Sequence, residues 1–321
     1  MNSSGLYDKQ TSINYYEERY AQGYMEKFPV ELKEKIFEVI HELQLSENGE
    51  ALDFGCGNGR LTEVIKQALP KWQVYGTDVS NVAIEKAKKS YPNCTFFVTG
   101  DKEFADKKFD FMFTHHVLEH VYNLRQVFDE MHNCLKTTSA MLHILPCGNE
   151  GSFEYSICRL RKDGVNSELE NRFFFEEEGH VRRLNTEQLS NLCSEKGFAL
   201  TKEYYSYQYH GAINWITQSG PGFVRTLTDI SSAIDEDAKR KLQKLRYYLL
   251  GISMIRYAVQ VESKWNKRDK TVKDYILLLG GLAPYIFAKP VDLYWKSKAR
   301  EEWRMRKTER NGSEMFLYFT R

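Results

Sequence analysis

The sequence is informative first for what it lacks. Its six cysteines form no CxxC pair, which argues against a zinc ribbon or a disulfide framework and fits a reducing cytosol. Lysine and arginine total 45 against 44 acids. Without the basic excess that nucleic-acid binders use, no nucleic-acid partner is expected. The first ten residues hold no basic-then-apolar leader, so we expect a cytoplasmic protein.

Long apolar runs are also absent. The longest uncharged apolar run, residues 275–288, has 14 residues, whereas a membrane-spanning helix needs about 20. Residues 289–310 then hold eight basic residues against four acids, with Trp295 and Trp303 among them. This composition is typical of a core helix followed by a solvated amphipathic helix, which we favour. Peripheral membrane contact through 275–310 is the alternative, and it would suit a membrane-associated protein with a lipid-carried acceptor.

Strand-like and helix-like patterns alternate about five times between residues 51 and 145. Apolar residues at i, i+3 and i+4 predict a helix over 61–69, and a short run ending in an acid predicts a strand over 73–78. Such alternation favours an α/β fold with a mostly parallel sheet and helices on both faces. Later, Asn185 with Gln188 predicts a helix start, and residues 315–319 predict a final strand.

Residues 211–312 do not continue this alternation. They include a helical stretch over 233–260 and the apolar run described above. The simplest interpretation is a helical insertion before the last strand. The predicted organisation is an N-terminal helical cap over 1–45, a core over 46–210, a helical insertion or lid over 211–312 and a final core strand over 313–321.

The motif most directly tied to chemistry is the run ALDFGCGNGR at residues 51–60. Gly55, Gly57 and Gly59 follow a predicted strand and open a helix. Without Cβ atoms, they allow the backbone to turn tightly and to approach a ligand. The dinucleotide fingerprint GxGxxG would place its third glycine at position 60, where this chain has Arg60.

Acidic residues follow the next two predicted strands. Asp78 lies 19 residues after Gly59, close to the ~20 expected for an acid that accepts hydrogen bonds from a ribose diol. This spacing alone does not distinguish one nucleoside cofactor from another. Gly100 and Asp101 follow the third strand, where a simple turn aspartate is the alternative.

These elements, with the segment FDFMFTHHVLEHV at 109–121, resemble in order and spacing the motifs of class I S-adenosylmethionine (SAM)-dependent methyltransferases. The resemblance covers residues 50–200 and the final strand, but not 211–312. It implies a Rossmann-like seven-stranded sheet with helices on both faces, carrying the helical insertion before its last strand. It also implies SAM as cofactor and S-adenosylhomocysteine as product. The cofactor-binding residues it implies are Asp53, Gly55, Cys56, Gly57, Gly59, Asp78, Val79, Asp101, Thr114 and His115.

Four histidines are candidates for the chemistry. His115, His116 and His120 follow the fourth predicted strand, and His180 lies in a later loop. In open α/β sheets, ligands sit beyond the carboxyl ends of the strands. Histidine titrates near neutral pH and is the usual general base for a hydroxyl acceptor. We therefore predict His120 and His180 as catalytic residues, with a structural histidine as the alternative for each.

A metal site is a weaker alternative at the same place. The ubiquinone-biosynthesis O-methyltransferases, which this chain is similar to, and the small-RNA end methyltransferases have a Glu-x-x-Glu-His motif here and a later histidine. Some of them bind a divalent metal through it. In this chain His116 replaces the first glutamate, followed by Glu119 and His120, with His180 later. Such side chains suit a metal, but LEHV also occurs in metal-free methyltransferases, so our main prediction is no metal.

The resemblance predicts methyl transfer to a small-molecule or carrier-linked acceptor, such as a sugar, a polysaccharide or a quinone, preferably at oxygen. Methylation at nitrogen or carbon is an alternative. So are a nicotinamide-dependent oxidoreductase and a non-catalytic SAM-binding protein that acts through its insertion. Residues 15–20, YYEERY, resemble the segment that covers SAM in relatives, although a solvated helix would look the same. The sequence does not set the oligomeric state.

Overall fold

The computed structural model describes residues 9–23, 29–102, 106–177, 179–265, 267 and 269–321. The chain divides into two compact units. The first comprises Met1–Pro146, Glu178–Glu203 and Met315–Arg321, and the second comprises Cys147–Glu177 and Tyr204–Glu314.

One seven-stranded sheet organises the first unit. Its strands are β1 (Glu50–Phe54), β2 (Gln73–Asp78), β3 (Thr95–Val98), β4 (Phe109–His115), β5 (Leu135–Pro146), β8 (Ala199–Ser206) and β9 (Glu314–Thr320). The helices of this unit are α1 (Lys9–Ala21), α2 (Val30–Glu42), α3 (Arg60–Ala68), α4 (Asn81–Ser90), α5 (Leu124–Asn133) and α7 (Thr186–Ser194). The strand order of the sheet is β3-β2-β1-β4-β5-β9-β8. A seven-stranded sheet with helices around it confirms the predicted Rossmann-like methyltransferase fold.

The helices form where apolar residues recur at helical spacing. In α3, Leu61, Val64, Ile65 and Ala68 are all buried, so one face of the helix packs into the core. The predicted start of α7 is confirmed: the Asn185 side chain accepts from the Gln188 N–H, and the Gln188 side chain caps in return.

Parallel pairing brings the ends of three central strands to one edge. In β1, Asp53 pairs with Gly76 of β2 and with Phe113 of β4, all in parallel register. Beyond β1, the N–H groups of Gly55 and Cys56 both donate to the Thr77 carbonyl, at 2.8 and 2.9 Å. The segments that follow β1, β2 and β4 therefore lie side by side, at the edge where this sheet type binds ligands.

The second unit is mainly helical. Its elements are α6 (Phe153–Cys158), β6 (Val165–Asn166), β7 (Arg172–Phe173), α8 (Tyr209–Gln218), α9 (Pro221–Leu227), α10 (Glu236–Tyr257), α11 (Val261–Trp265) and α12 (Val272–Arg306), with short 3-10 turns at Ser167–Leu169, Ile230–Ser232 and Ala258–Gln260. Its boundaries differ from those that we predicted, because residues 147–177 belong to this unit rather than to the core.

The apolar run at 275–288 is not the core helix that we favoured. It lies within α12, and several of its large side chains are exposed, among them Leu279 at 79% and Phe287 at 77%. The expectation was wrong because an apolar sequence indicates that a segment favours burial, but it does not show whether the rest of the chain covers that segment.

Candidate active site

Three glycines after β1 have backbones that other residues adopt with strain. The φ angles of Gly55, Gly57 and Gly59 are +79°, +53° and +80°, in the left-handed region that favours glycine. A Cβ on Gly57 would lie 2.4 Å from the Tyr20 hydroxyl oxygen, and one on Gly55 would lie 2.5 Å from a methyl of Val117. The loop is thus a close-fitting cradle that any side chain would fill.

Asp78 lies at the end of β2 against this loop. One carboxylate oxygen accepts from the Gly57 N–H and the other from the Ser80 N–H, each at 2.9 Å. Burial raises the pKa of Asp78 to about 6, although the hydrogen bonds from Ser80 and Gly57 oppose the shift. Each carboxylate oxygen can accept more than one hydrogen bond, so the group keeps acceptor capacity for a diol.

Other predicted cofactor residues support the cradle with their side chains. The Asp53 carboxylate is buried and accepts from the Thr62 hydroxyl at 2.6 Å, which ties β1 to α3. Cys56 is buried in a small cluster with Ile84, Ala87 and Phe96. The side chains of Asp53 and Cys56 are therefore engaged within the protein interior.

Three further residues that were predicted to bind the cofactor lie in different surroundings from one another. The Thr114 hydroxyl is buried and lies 2.8 Å from His143 Nδ1 on β5, so this side chain belongs to the sheet interior. The exposed Asp101 carboxylate accepts from the Val98 N–H at 3.1 Å, as a turn aspartate does. Val79 is half-buried beside Asp78. Sequence reasoning missed His143, and nothing in its spacing distinguishes it from a core residue.

Helix α1 packs over the same edge. Its Glu17 carboxylate accepts from the Ser80 hydroxyl and from the N–H groups of Asn81 and Val82 at the start of α4. Lys86 of α4 donates to the Tyr20 carbonyl at 2.6 Å. This places Tyr20 over the glycine loop, as the resemblance of residues 15–20 to a covering segment suggested.

The predicted histidines gather around one buried carboxylate. Glu119 is 1% exposed, and His116 Nδ1 lies 2.9 Å from its Oε1. The Val181 N–H donates to the Glu119 carbonyl at 2.8 Å, which brings the loop that carries His180 alongside. The His120 and His180 rings meet edge to face, with centroids 4.6 Å apart.

His116 reaches Glu119 from a strained backbone. Its φ is +52°, which is uncommon for a residue with a side chain and is found repeatedly at functional sites. The neighbouring His115, at the end of β4, is half-buried, and its ring centroid lies 4.4 Å from that of His116.

The Glu119 carboxylate is held in its charged form. Burial alone would raise its pKa, but the charge and hydrogen bond of His116, with the charges of His120 and His180, lower the pKa to about 2. A buried anion of this kind favours cationic neighbours. It can therefore stabilise a histidine that has accepted a proton, or a bound cation.

The tautomer of His120 follows from one contact. His120 Nδ1 lies 2.9 Å from the Gly179 carbonyl oxygen. A carbonyl only accepts, so Nδ1 donates and carries the proton. In the neutral ring, Nε2 is then the basic nitrogen. Sequence reasoning did not foresee the role of Gly179, since a backbone carbonyl leaves no mark in a sequence.

Three of the four proposed metal ligands converge. Glu119, His120 and His180 each offer a ligand atom, and these atoms lie within 4.8 Å of one another. One carboxylate and two imidazoles fit the donor set of a divalent transition metal. His116 is not one of this trio, but its Nδ1 lies 2.9 Å from the Glu119 carboxylate.

The fold and this edge together define a SAM-dependent methyltransferase domain. A family model described as a methyltransferase domain matches residues 24–203, more than half of the chain. The chain therefore belongs to the methyltransferase domain family. The family and the fold imply SAM as the cofactor, and the glycine cradle with Asp78 fits its nucleoside.

Individual relatives cover the chain only in part. The protein named Putative methyltransferase 235L, from Invertebrate iridescent virus 6, is 32% identical over 32% of this chain and 39% of its own length. Malonyl-[acyl-carrier protein] O-methyltransferase from Legionella pneumophila is 26% identical over 36% of this chain and 42% of its own. The chain thus spans less than half the length of these relatives. A solved SAM-dependent methyltransferase from Archaeoglobus fulgidus has a TM-score of 0.43 and 13% identity, covering 90% of this chain and 94% of its own.

Proposed function

We propose that this protein transfers a methyl group from SAM to an oxygen of a small-molecule or carrier-linked acceptor, with His120 as general base. When bound, SAM supplies an electrophilic methyl group on a sulfonium centre. The observation that carries the proposal is the contact of His120 Nδ1 with the Gly179 carbonyl, 2.9 Å away. It leaves Nε2 as the nitrogen that can take the proton of a hydroxyl.

The neighbouring groups support this role. Once protonated, His120 is an imidazolium. The negative charge of the buried Glu119 carboxylate is close enough to interact with it. Fixed charges in a buried site stabilise developing charge without reorganising. Tyr16 packs edge to face on His120, with centroids 5.6 Å apart, which restricts the ring to one orientation.

The choice of oxygen also draws on a relative. The Legionella protein matched above is named as an O-methyltransferase of malonyl-[acyl-carrier protein], an acceptor joined to a carrier. A carboxylate acceptor needs no base, however, whereas a hydroxyl does. The Glu119–histidine cluster therefore favours a hydroxyl acceptor for this chain.

The test is transfer of labelled methyl from SAM to sets of acceptors that share a skeleton and differ only in hydroxyl, amine or carboxylate. We expect label on the hydroxyl members alone, lost with His120→Ala. Transfer to amines or carboxylates that survives His120→Ala would refute the proposal. SAM binding without transfer to any acceptor class would favour the non-catalytic alternative.

A metal-assisted version is the second candidate, favoured by the convergence of Glu119, His120 and His180. In that version these residues hold a divalent ion, which supplies a Lewis acid that lowers the pKa of an acceptor hydroxyl. Metal content after purification, and inhibition by EDTA reversed by one divalent ion, distinguish it from the metal-free base.

A further inference from the structure

The second unit carries a bent apolar element that the methyl-transfer chemistry does not use. No single helix in the described part of the chain is long and apolar enough to cross a membrane, but Val272–Gly281 and Ala283–Arg306 pass that test together, with a 77° bend between them. We call residues 272–294 the elbow. Its exposed large apolar residues are 52% to 79% exposed: Val272, Tyr275, Ile276, Leu279, Ile286, Phe287, Leu293 and Tyr294.

One side of the elbow is anchored to α11 and the chain beside it. Lys264 and Lys267 pair with Asp274 on the first arm, at 3.2 and 2.7 Å. Glu262 accepts from Tyr285 and Lys289 on the second arm. These polar contacts hold both arms of the elbow against α11 and the residues that follow it.

The bend itself is packed closely. Val261 is buried, and a Cβ on Gly281 would lie 2.3 Å from one of its methyl groups. Gly281 thus permits α11 to lie against the corner of the elbow, and Pro284 follows within the helix. Because polar and close contacts occupy this inner side, the large apolar side chains are left on the outer side.

An exposed apolar surface of this extent marks an interaction site rather than ordinary surface. The first arm has ten residues and is about 15 Å long, half of a hydrocarbon core of about 30 Å. An element bent by 77° fits lying in the interface of one leaflet better than crossing the bilayer.

The charge beside the elbow indicates the partner. Residues 264–274 hold five basic residues against two acids. Trp265 is 53% exposed, and tryptophan and tyrosine favour the level of the lipid headgroups. Anionic headgroups complement this segment. A symmetric pairing of two copies through the same face would bring both basic segments together, which electrostatics disfavours.

We propose that the elbow inserts its apolar side into the headgroup–acyl boundary of an anionic phospholipid bilayer, with Lys264, Lys267, Lys270 and Lys273 on the headgroups. This proposal does not depend on the methyl acceptor. Membrane contact would place the protein beside acceptors carried on lipid.

The test is co-sedimentation of the full chain with vesicles of phosphatidylcholine alone or mixed with phosphatidylglycerol. We expect binding at least about tenfold tighter with phosphatidylglycerol, weakened by salt. Leu279→Glu and Phe287→Glu should each weaken binding about tenfold or more, since each replaces an exposed apolar side chain that the bilayer would cover. The matched control is Ile234→Glu, which alters a 49% exposed residue of the same unit outside the elbow and should bind like the wild type.

A second readout locates the contact. Brominated phospholipid should quench tryptophan fluorescence in the wild type and much less in Trp265→Phe, because Trp72, Trp295 and Trp303 are buried and Trp215 is partly buried outside the elbow. A wild-type chain that stays in the supernatant with both vesicle types overturns the proposal. So does unchanged binding by Leu279→Glu and Phe287→Glu. Self-association that Leu279→Glu abolishes, without vesicle binding, would instead assign this face to a second copy.

Discussion

His120 Nδ1 and the Gly179 carbonyl oxygen lie 2.9 Å apart, although 59 positions separate the two residues in the chain. The contact joins the segment after β4 to the loop before α7 and sets which ring nitrogen is basic. A Cβ on Gly179 would lie 3.3 Å from that same Nδ1 and 3.3 Å from the ring of Tyr15. Glycine therefore allows the histidine, α1 and this loop to meet.

The first prediction concerns the base. His120→Ala should lower kcat by about 10²- to 10⁴-fold, the usual size of a general-base contribution, and leave the Kd for SAM nearly unchanged. The pH–rate profile should lose its acidic limb. Gly179→Ala should cause a smaller loss, because it crowds the imidazole without removing it. His180→Ala serves as the comparison. If neither His120→Ala nor His180→Ala lowers kcat by more than about tenfold, neither histidine is the general base.

The second prediction separates base from metal at Glu119. Glu119→Gln keeps the shape and removes the charge. With a metal-free base, kcat should fall while EDTA has no effect on the wild type. With a metal, the purified wild type should contain about one divalent ion per chain, and Glu119→Gln should lose it, since a ligating carboxylate must be charged. Metal analysis by mass spectrometry decides between the two versions. Glu18→Gln, at an exposed position of α1, is the control.

The third prediction tests the cradle. Gly57→Ala should abolish measurable SAM binding, because its Cβ collides with Tyr20 and its φ of +53° strains any side chain. Adding Tyr20→Phe removes the colliding oxygen. The double variant should regain part of the lost free energy of unfolding, but not the wild-type affinity for SAM. Gly222→Ala is the control, since a Cβ at Gly222 would meet no atom within 4 Å beyond its chain neighbours and the backbone of its own helix. Titration calorimetry measures the binding. A folded Gly57→Ala protein that binds SAM as the wild type does would contradict the role of the cradle in binding.

Much of this site follows from local sequence, and some of it does not. Gly55, Gly57 and Gly59 were predictable because a backbone conformation that requires glycine leaves its mark in the sequence. The Gly179 carbonyl was not, because every residue has one and only the tertiary fold selects it. Asp53 shows a different limit of sequence-based prediction. We predicted that it binds the cofactor, but its side chain accepts a hydrogen bond from Thr62.

The second unit shows the same division. Helical spacing located α10, since its stripe of apolar residues is visible in the segment itself. That residues 147–177 join this unit depends on contacts between distant segments, which periodicity does not encode. The exposure of Leu279 and Phe287 was likewise hidden, because an apolar residue looks the same whether protein or lipid covers it.

The fourth prediction concerns a buried ion pair in the second unit. Arg256 and Asp292 are 2% and 4% exposed, with Nη2 and Oδ1 2.7 Å apart. Arg256→Met should destabilise this unit by up to about 3–5 kcal/mol, because it removes one of the two cations that pair with the buried Asp292 carboxylate, the other being Lys296 at 2.9 Å. Arg256→Met with Asp292→Leu should recover most of the loss. Lys241→Ala, which breaks an exposed pair with Asp237, should destabilise the unit far less than Arg256→Met does. Hydrogen exchange of the α10 and α12 amides measures each; equal effects of Arg256→Met and Lys241→Ala would contradict the assignment.

The last prediction concerns pH and stability. Burial raises the pKa of Asp53 from 3.8 to about 7; the Thr62 hydrogen bond opposes the shift, and the Asp78 charge adds to it. The folded protein thus holds this proton more tightly than the unfolded chain does. The stability from protonated Asp53 is complete below pH 3.8 and is lost as pH rises to about 7. By linkage the loss has an upper limit of about 4 kcal/mol.

Asp53→Asn should therefore flatten the dependence of stability on pH between about 4 and 7, and it should make the ligand-free protein more stable than the wild type at pH 8. The amide can still accept from Thr62, so that contact survives. Urea unfolding across this pH range, without SAM, provides the measurement. Asp110→Asn is the control, because Asp110 is partly exposed and pairs with Lys136 at 2.8 Å. If Asp53→Asn leaves the slope between pH 4 and 7 equal to that of the wild type, Asp53 ionises in the folded protein as it does in the unfolded chain.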